Sequence, residues 1–162
     1  MKYPAYSLSG FSLIELMVTL AIIAMVASAV LPLSQLTVQR SKEVELRAAL
    51  RELRNAIDAY KKAGDEGRIK KNAEMSGYPS SLEVLVEGVE DLKDFKNKRK
   101  IKFIRSIPRD PMQLDTSLTN AQTWGNRSYD SDWDSPQAGD DIYDVYSMSD
   151  KTAINGLPYR EW

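Results

Sequence analysis

Residues 10–33 read GFSLIELMVTLAIIAMVASAVLPL, and they carry one charge, Glu15. From 16 to 39, 24 residues, no charged side chain occurs, which is enough helix to cross a hydrocarbon layer roughly 30 Å thick. A carboxylate at that depth costs about 2.5 kcal/mol or more, so Glu15 is expected to have a partner and a purpose. Pro32 removes the helical hydrogen bond to the Ser28 carbonyl, which predicts a kink there. Beyond it the pattern changes from uniformly apolar to striped. Across 41–63, Leu46, Leu50, Leu53, Ile57 and Tyr60 recur at spacings of four, three, four and three, one face of an amphipathic helix. Glu43 with Arg47, and Glu45 with Arg51 or Lys42, are expected as exposed pairs on the remaining surface. A helix from 11 to 63 would be about 80 Å long at 1.5 Å per residue. Gly64-Asp65-Glu66-Gly67 ends it, with glycine supplying the cap.

The rest of the chain is punctuated more often. Tyr78-Pro79-Ser80-Ser81 opens a short helix through Leu82, Leu85, Val86 and Val89, with Ser80 or Ser81 as the cap. Residues 93–102 are basic, with Lys93, Lys96, Lys98, Arg99, Lys100 and Lys102, and no interleaved aromatic pattern points to nucleic acid. The prolines in Ile104-Arg105-Ser106-Ile107-Pro108-Arg109-Asp110-Pro111 dictate an extended connector. Residues 127–133 and 142–148 alternate and are rich in Tyr, Val and Ile, reading as antiparallel strands on either side of a Ser135-Pro136 turn. The fold class expected is α+β: a long N-terminal helix packed on a small antiparallel sheet. Asp130, Asp132, Asp134 and Asp141 imitate calcium-loop spacing, but Ser135 occupies the place where the turn needs glycine, so a solvated hairpin is the reading preferred.

Composition narrows the chemistry. At 162 residues, with roughly a quarter of the chain read as membrane anchor and helical stalk, one small globular domain fits. Lys and Arg number 22 against 23 Asp and Glu, a net of −1, which gives no polyanion-binding surface. Without cysteine or histidine, disulfides, thiol nucleophiles, the common zinc sites and the usual general base are all excluded. Asp pairs for a hydrolase have no cleft-forming constellation around them.

Three readings of the N-terminus compete. Ala27-Ser28-Ala29 offers a small-x-small site for signal peptidase, yet the apolar run is about twice the usual h-region and continues into helix. A plain single-span anchor leaves Glu15 unexplained. The third rests on Gly10-Phe11-Ser12-Leu13-Ile14-Glu15-Leu16, which resembles the class III signal of type IV pilins and pseudopilins. The resemblance implies cleavage after Gly10 by a prepilin peptidase, N-methylation of Phe11, and an assembly role for Glu15, whose carboxylate can neutralise the new ammonium between neighbouring subunits. Lys2 is the one basic residue before the run, whereas Arg40, Lys42 and Arg47 follow it. Orientation therefore follows from the resemblance, not from charge counting.

A second resemblance runs through the globular half. Tyr78-Pro79, Ile107-Pro108-Arg109-Asp110-Pro111, Trp124-Gly125-Asn126, Tyr143-Asp144-Val145-Tyr146-Ser147 and the closing Trp162 are similar to the major pseudopilin of type II secretion systems, with 112–123 inserted before the Trp-Gly-Asn. It implies a leader at 1–10, a transmembrane and assembly helix at 11–39, its amphipathic continuation at 40–63, and a periplasmic globular domain at 64–162, the pilin-like architecture. It further implies a non-enzymatic, homo-oligomeric filament subunit, single-pass in the bacterial inner membrane, that works with minor pseudopilins and an inner-membrane assembly platform to export proteins. A type IV pilin or minor pilin is the alternative; the missing cysteine pair disfavours the many pilins that close a disulfide loop. A membrane-tethered periplasmic binding module is the third. Structural calcium is the one ligand implied, with Asp150 as carboxylate and Met148 as backbone carbonyl. The later paired acids of such a site are replaced here by Ile154-Asn155-Gly156-Leu157-Pro158.

Overall fold

The computed structural model describes residues 10–70, 76–94, 99–132 and 134–162, with the backbone alone described at 29–33. Helix α1 spans Leu13–Asp65 and runs through two compact units, Met1–Gln39 and Arg40–Trp162. In the second unit the stripe read from sequence is the core. Leu46, Leu50, Leu53 and Ile57 are buried with Ala49 and Ala56, and Tyr60 packs at their edge. Complete burial of such side chains is worth about 1.5–3 kcal/mol each, and this row fixes α1 to the remainder of the unit.

The helix stops at a cap that Gly67 makes possible. Its φ of +67° is a left-handed conformation, and with it the Arg68 N–H reaches the Ala63 carbonyl at 2.9 Å while the Gly67 N–H reaches Gly64 at 3.1 Å. These two bonds form a Schellman closure, so the terminating glycine is Gly67, three residues beyond Gly64. Helix α2, Leu82–Glu87, buries Leu82 and Leu85. Ser81 is its N-cap residue without a side-chain hydrogen bond, and Gly88 ends it at φ +78°. The expected extension through Val89 fails there, since Val89 already belongs to a strand.

Two ribbons replace the single sheet expected. β1 (Val89–Glu90) pairs antiparallel with β2 (Lys100–Ile101), Val89 opposite Ile101. A Cβ on Gly88 would stand 2.6 Å from the Ile101 carbonyl oxygen, so glycine is needed for the close approach. The strand inside the basic run was invisible to periodicity because β2 is two residues long. β3 (Trp124–Arg127) pairs antiparallel with β4 (Asp144–Ser147), from Trp124 opposite Ser147 to Arg127 opposite Asp144. The first of these strands lies earlier than the 127–133 expected. After Arg127 the chain turns, with Ser128 N–H donating to Gln137 and Ser131 N–H to Ser128; Trp133 lies outside the described residues. Gly125 lets the Tyr146 ring lie on the ribbon, where a Cβ would sit 2.4 Å from ring carbons. The architecture is α+β: a long N-terminal helix packed with small antiparallel sheets.

The connector before β3 is non-helical, as its prolines require, with a bend at 105–106 and a turn at 111–112, and it is anchored on a buried carboxylate. Asp110 is 1% exposed. One of its oxygens accepts the Met112 N–H at 2.7 Å, and the other accepts the Ser147 hydroxyl at 2.6 Å. Burial pushes the Asp110 carboxyl above the usual carboxylate range, against the opposing effect of those two donors. The inserted segment closes over the connector, with the Trp124 indole N–H donating to the Pro108 carbonyl at 2.8 Å and the Asn120 amide to Ile107 at 2.8 Å.

Candidate functional site

At the N-terminus, Gly10, Phe11 and Ser12 precede the first turn of α1, whose Leu16 N–H bonds the Ser12 carbonyl at 3.1 Å. Gly10 is exposed, and a side chain built on it would meet nothing within 4 Å. Phe11 is 84% exposed. The Gly10–Phe11 peptide bond therefore lies ahead of the helix in open surroundings, the condition a protease needs to draw a chain into an extended pose. Glu15 is the acidic residue of the first turn, where the helix dipole favours a negative charge. It is exposed.

Every large apolar side chain between 13 and 26 is also exposed, by 50% to 77%. The polar groups among them turn inward on the helix: Thr19 hydroxyl donates to the Leu16 carbonyl at 2.9 Å and Ser28 to Met25 at 2.7 Å. Nothing among the described residues of its unit buries this helix surface, and a helix apolar on all sides requires lipid or other helices. Among the described residues no helix is long and apolar enough to cross a membrane. The leader residues 1–9 and the Pro32 side chain lie outside the described residues, and α1 is one helix through the backbone at 29–33, where the kink was expected.

A second constellation gathers the tail of the chain onto α1, and the sequence pattern alone had misassigned its key member. Glu43, expected as a surface partner of Arg47, is 5% exposed. Its carboxylate accepts the Tyr159 hydroxyl at 2.9 Å and the Ile154 N–H at 2.8 Å. The signal was available in its spacing, for Glu43 stands three residues before Leu46 and so falls on the buried stripe. Arg47 instead lies over the Trp162 ring, 4.3 Å from its centroid. Arg54 donates to Asp144 at 2.7 Å and to the Trp162 main-chain oxygen at 2.6 Å, tying α1, β4 and the tail together. Nothing in the local pattern marks Arg54, because its partners are 90 and 108 residues away in sequence.

The residues proposed for calcium sit just before this clasp. Met148 and Asp150 are both exposed. Among the described residues no group of three or more acidic side chains is placed to hold a metal. A calcium ion takes about six to eight oxygens, so Asp150 would have to be supplemented almost entirely by backbone carbonyls. Of the acidic loop that imitates calcium spacing, Asp141 is engaged in fixing the fold, accepting the Ser76 hydroxyl and the Tyr129 N–H. Asp130, Asp132 and Asp134 are exposed.

Compared with known proteins, residues 9–31 match the prokaryotic N-terminal methylation motif. The match includes Gly10, Phe11 and Glu15 and marks a type IV pilin-like prepilin signal, carried by structural subunits that a prepilin peptidase processes before filament assembly. No curated protein and no solved structure matches the chain.

Proposed function

We propose that this chain is a pseudopilin, a structural filament subunit of a type II secretion system. Prepilin peptidase cuts after Gly10 and methylates the amino group of Phe11; the subunit waits as a single-pass protein of the bacterial inner membrane with its globular domain in the periplasm. Assembly on an inner-membrane platform, together with minor pseudopilins, then builds the filament that drives protein export. The observation that carries this reading is an apolar helix exposed on every side, directly behind a prepilin-type signal. Lipid covers that surface before assembly, and copies of the same helix cover it afterwards. Within such a bundle the Phe11 ammonium and the Glu15 carboxylate of neighbouring subunits neutralise each other, which offsets the cost of burying either one.

Mass spectrometry of the mature chain is the direct test. A mass starting at methylated Phe11 supports the reading; a start after Ala29, or an uncut chain, overturns it. The motif is shared by type IV pilins, and this is the specific observation that keeps a pilin or minor pilin as the second reading. Loss of export without loss of surface pili, after deletion of the gene, decides for the pseudopilin. A merely tethered binding module predicts that Glu15→Leu is harmless; the filament subunit predicts that it abolishes assembly.

A further inference from the structure

Three tyrosines from separate parts of the chain meet on the surface of the second unit. The rings of Tyr78 and Tyr129 stack with centroids 5.7 Å apart, and Tyr143 stands nearly perpendicular to both, at 5.1 and 5.6 Å. The cluster is built on fixed backbone. Asp141 accepts the Tyr129 N–H at 2.9 Å, and the Ile142 N–H donates to Pro79 at 2.8 Å. Mutual shielding alone would account for three rings in contact, but Tyr129 and Tyr143 remain 57% and 42% exposed. Exposed, pre-ordered tyrosines lose little entropy on binding and make strong contact surfaces.

The surroundings define what such a surface would accept. Along the chain that carries Tyr129 and Tyr143, Asp130, Asp132, Asp134 and Asp140 are exposed, while Asp141 and Asp144 are held by Ser76 and Arg54. A cation already sits against the cluster from within the chain, the Lys61 ammonium lying 5.7 Å from the centroid of the Tyr78 ring. The chemistry fits a partner rich in Lys and Arg that can stack on tyrosine and pair with carboxylates.

This chain carries that partner itself. Residues 99–105 contain four Lys or Arg and no acid. On the β1–β2 ribbon and just after it, Arg99, Lys100, Lys102 and Arg105 are all exposed. The same copy's tyrosines are on another side of α1. The ribbon borders a groove shared with Glu52 and Ala56 of the helix, whereas β4 is held by Arg54. Glu52 and Ala56 lie roughly 160° around the helix from Arg54, at 100° per residue. Two different, complementary patches on opposite flanks make a head-to-tail contact, which repeats along a ring or a filament instead of closing a twofold pair.

We propose that the tyrosine cluster and its acidic loop receive the basic ribbon of a second copy of this chain, setting the lateral register between subunits. The inference rests on the filament reading above and adds an interface in the globular domain to it. The full-length chain, expressed in its native host and recovered both in membranes and in sheared filaments, tests it. Because the chain has no cysteine, Tyr129→Cys with Lys102→Cys in one chain should give an oxidant-dependent ladder of dimers and higher multimers. Either single substitution should give none. In parallel, Lys100→Glu with Lys102→Glu should lower filament yield about tenfold, as should Asp130→Lys with Asp132→Lys, and combining all four should restore it to within about twofold. Normal filaments with no ladder and no response to charge reversal would overturn the contact while leaving the filament reading intact. Dimers from a single cysteine variant would overturn the head-to-tail geometry, and a crosslink to a different protein would overturn the self-contact. If the unaltered chain forms no filaments, the function proposed above fails, and the ladder in the membrane fraction still decides the contact for or against.

Discussion

One helix, α1, lives two different lives. From 13 to 26 its large apolar side chains are exposed on all sides; from Leu46 to Ile57 the leucines and Ile57 form a single buried row. Helix propensity does not explain the contrast, since both stretches are helical. What differs is where the covering surface comes from. The later stripe is covered by α2, the connector, the β3–β4 ribbon and the tail of its own chain, while the earlier cylinder has no covering residues among those described in its unit and requires an environment supplied from outside. The same contrast applies to two glutamates of this helix. Glu15 is exposed, and Glu43 is buried with its hydrogen-bond donors in place.

Apolar truncations break the comparison most sharply. Leu53→Ala should cost about 2–5 kcal/mol, the range for a buried leucine in a packed core. Thermal melting of the full chain in detergent would show it as a large fall in midpoint. Ile22→Ala should leave that melting curve in place and instead reduce filament recovery. Equal effects on melting would erase the distinction between the two halves.

The two glutamates come next. Glu43→Ala strands the Tyr159 hydroxyl and the Ile154 N–H, and unsatisfied buried groups cost about 1–3 kcal/mol each. Limited proteolysis should then release the tail before the core unfolds. Glu15→Leu should leave the melting midpoint unchanged and yet abolish filaments. An assembled Glu15→Leu filament would remove the charge-neutralisation argument altogether.

Asp110 tests the interior of the second unit with pH. Its folded-state carboxyl is raised by burial, so its contribution to stability is fully present below the ordinary carboxylate value of about 4 and is lost as pH rises through the higher folded value. Asp110→Asn keeps an acceptor for the Met112 N–H and a group able to bond Ser147, but cannot ionise. Its stability relative to the unaltered chain should therefore improve as pH rises from 4 to 7. A constant difference across that window would show that Asp110 is not held in its raised state. Asp110→Ala should be destabilising at both ends by about 1–3 kcal/mol, because Ser147 and the Met112 N–H lose their acceptor.

Much of the fold follows from periodicity. The apolar run, the Leu46-to-Tyr60 stripe, the proline connector and the existence of paired strands near 127 and 144 could all be read from spacing and residue type. What could not be read depends on long-range partners. Asp110 looks like any loop aspartate until Ser147 arrives from 37 residues away, and Arg54 looks like a solvated helix charge until β4 and Trp162 reach it. The strand shift from 127 to 124 has the same origin, since aromatic alternation beyond Arg127 promised a strand where Ser128 begins a turn. In the N-terminal segment, by contrast, the methylation motif matched at 9–31 was legible at once, because a processing signal is a local sequence and needs no fold to complete it.

The smallest effect expected is from removing calcium, and it separates a local signal from a folded one in the tail. Asp150 is exposed, and no acidic group of three stands with it among the described residues. The tail is already secured by Glu43 on Tyr159 and Ile154, by Arg54 on Trp162, and by the Ala153 N–H bonding Leu157 at 2.9 Å. An ion bound mainly through carbonyls, with one carboxylate, would add little to these at micromolar free calcium. Chelation should therefore shift the melting midpoint by less than about 1 °C, the effect of a few tenths of a kcal/mol in a domain of this size. A fall of several degrees, reversed by calcium and lost in Asp150→Ala, would instead make the ion a fourth clasp on the tail and give Asp150 and the Met148 carbonyl the ligand roles their sequence resemblance implies.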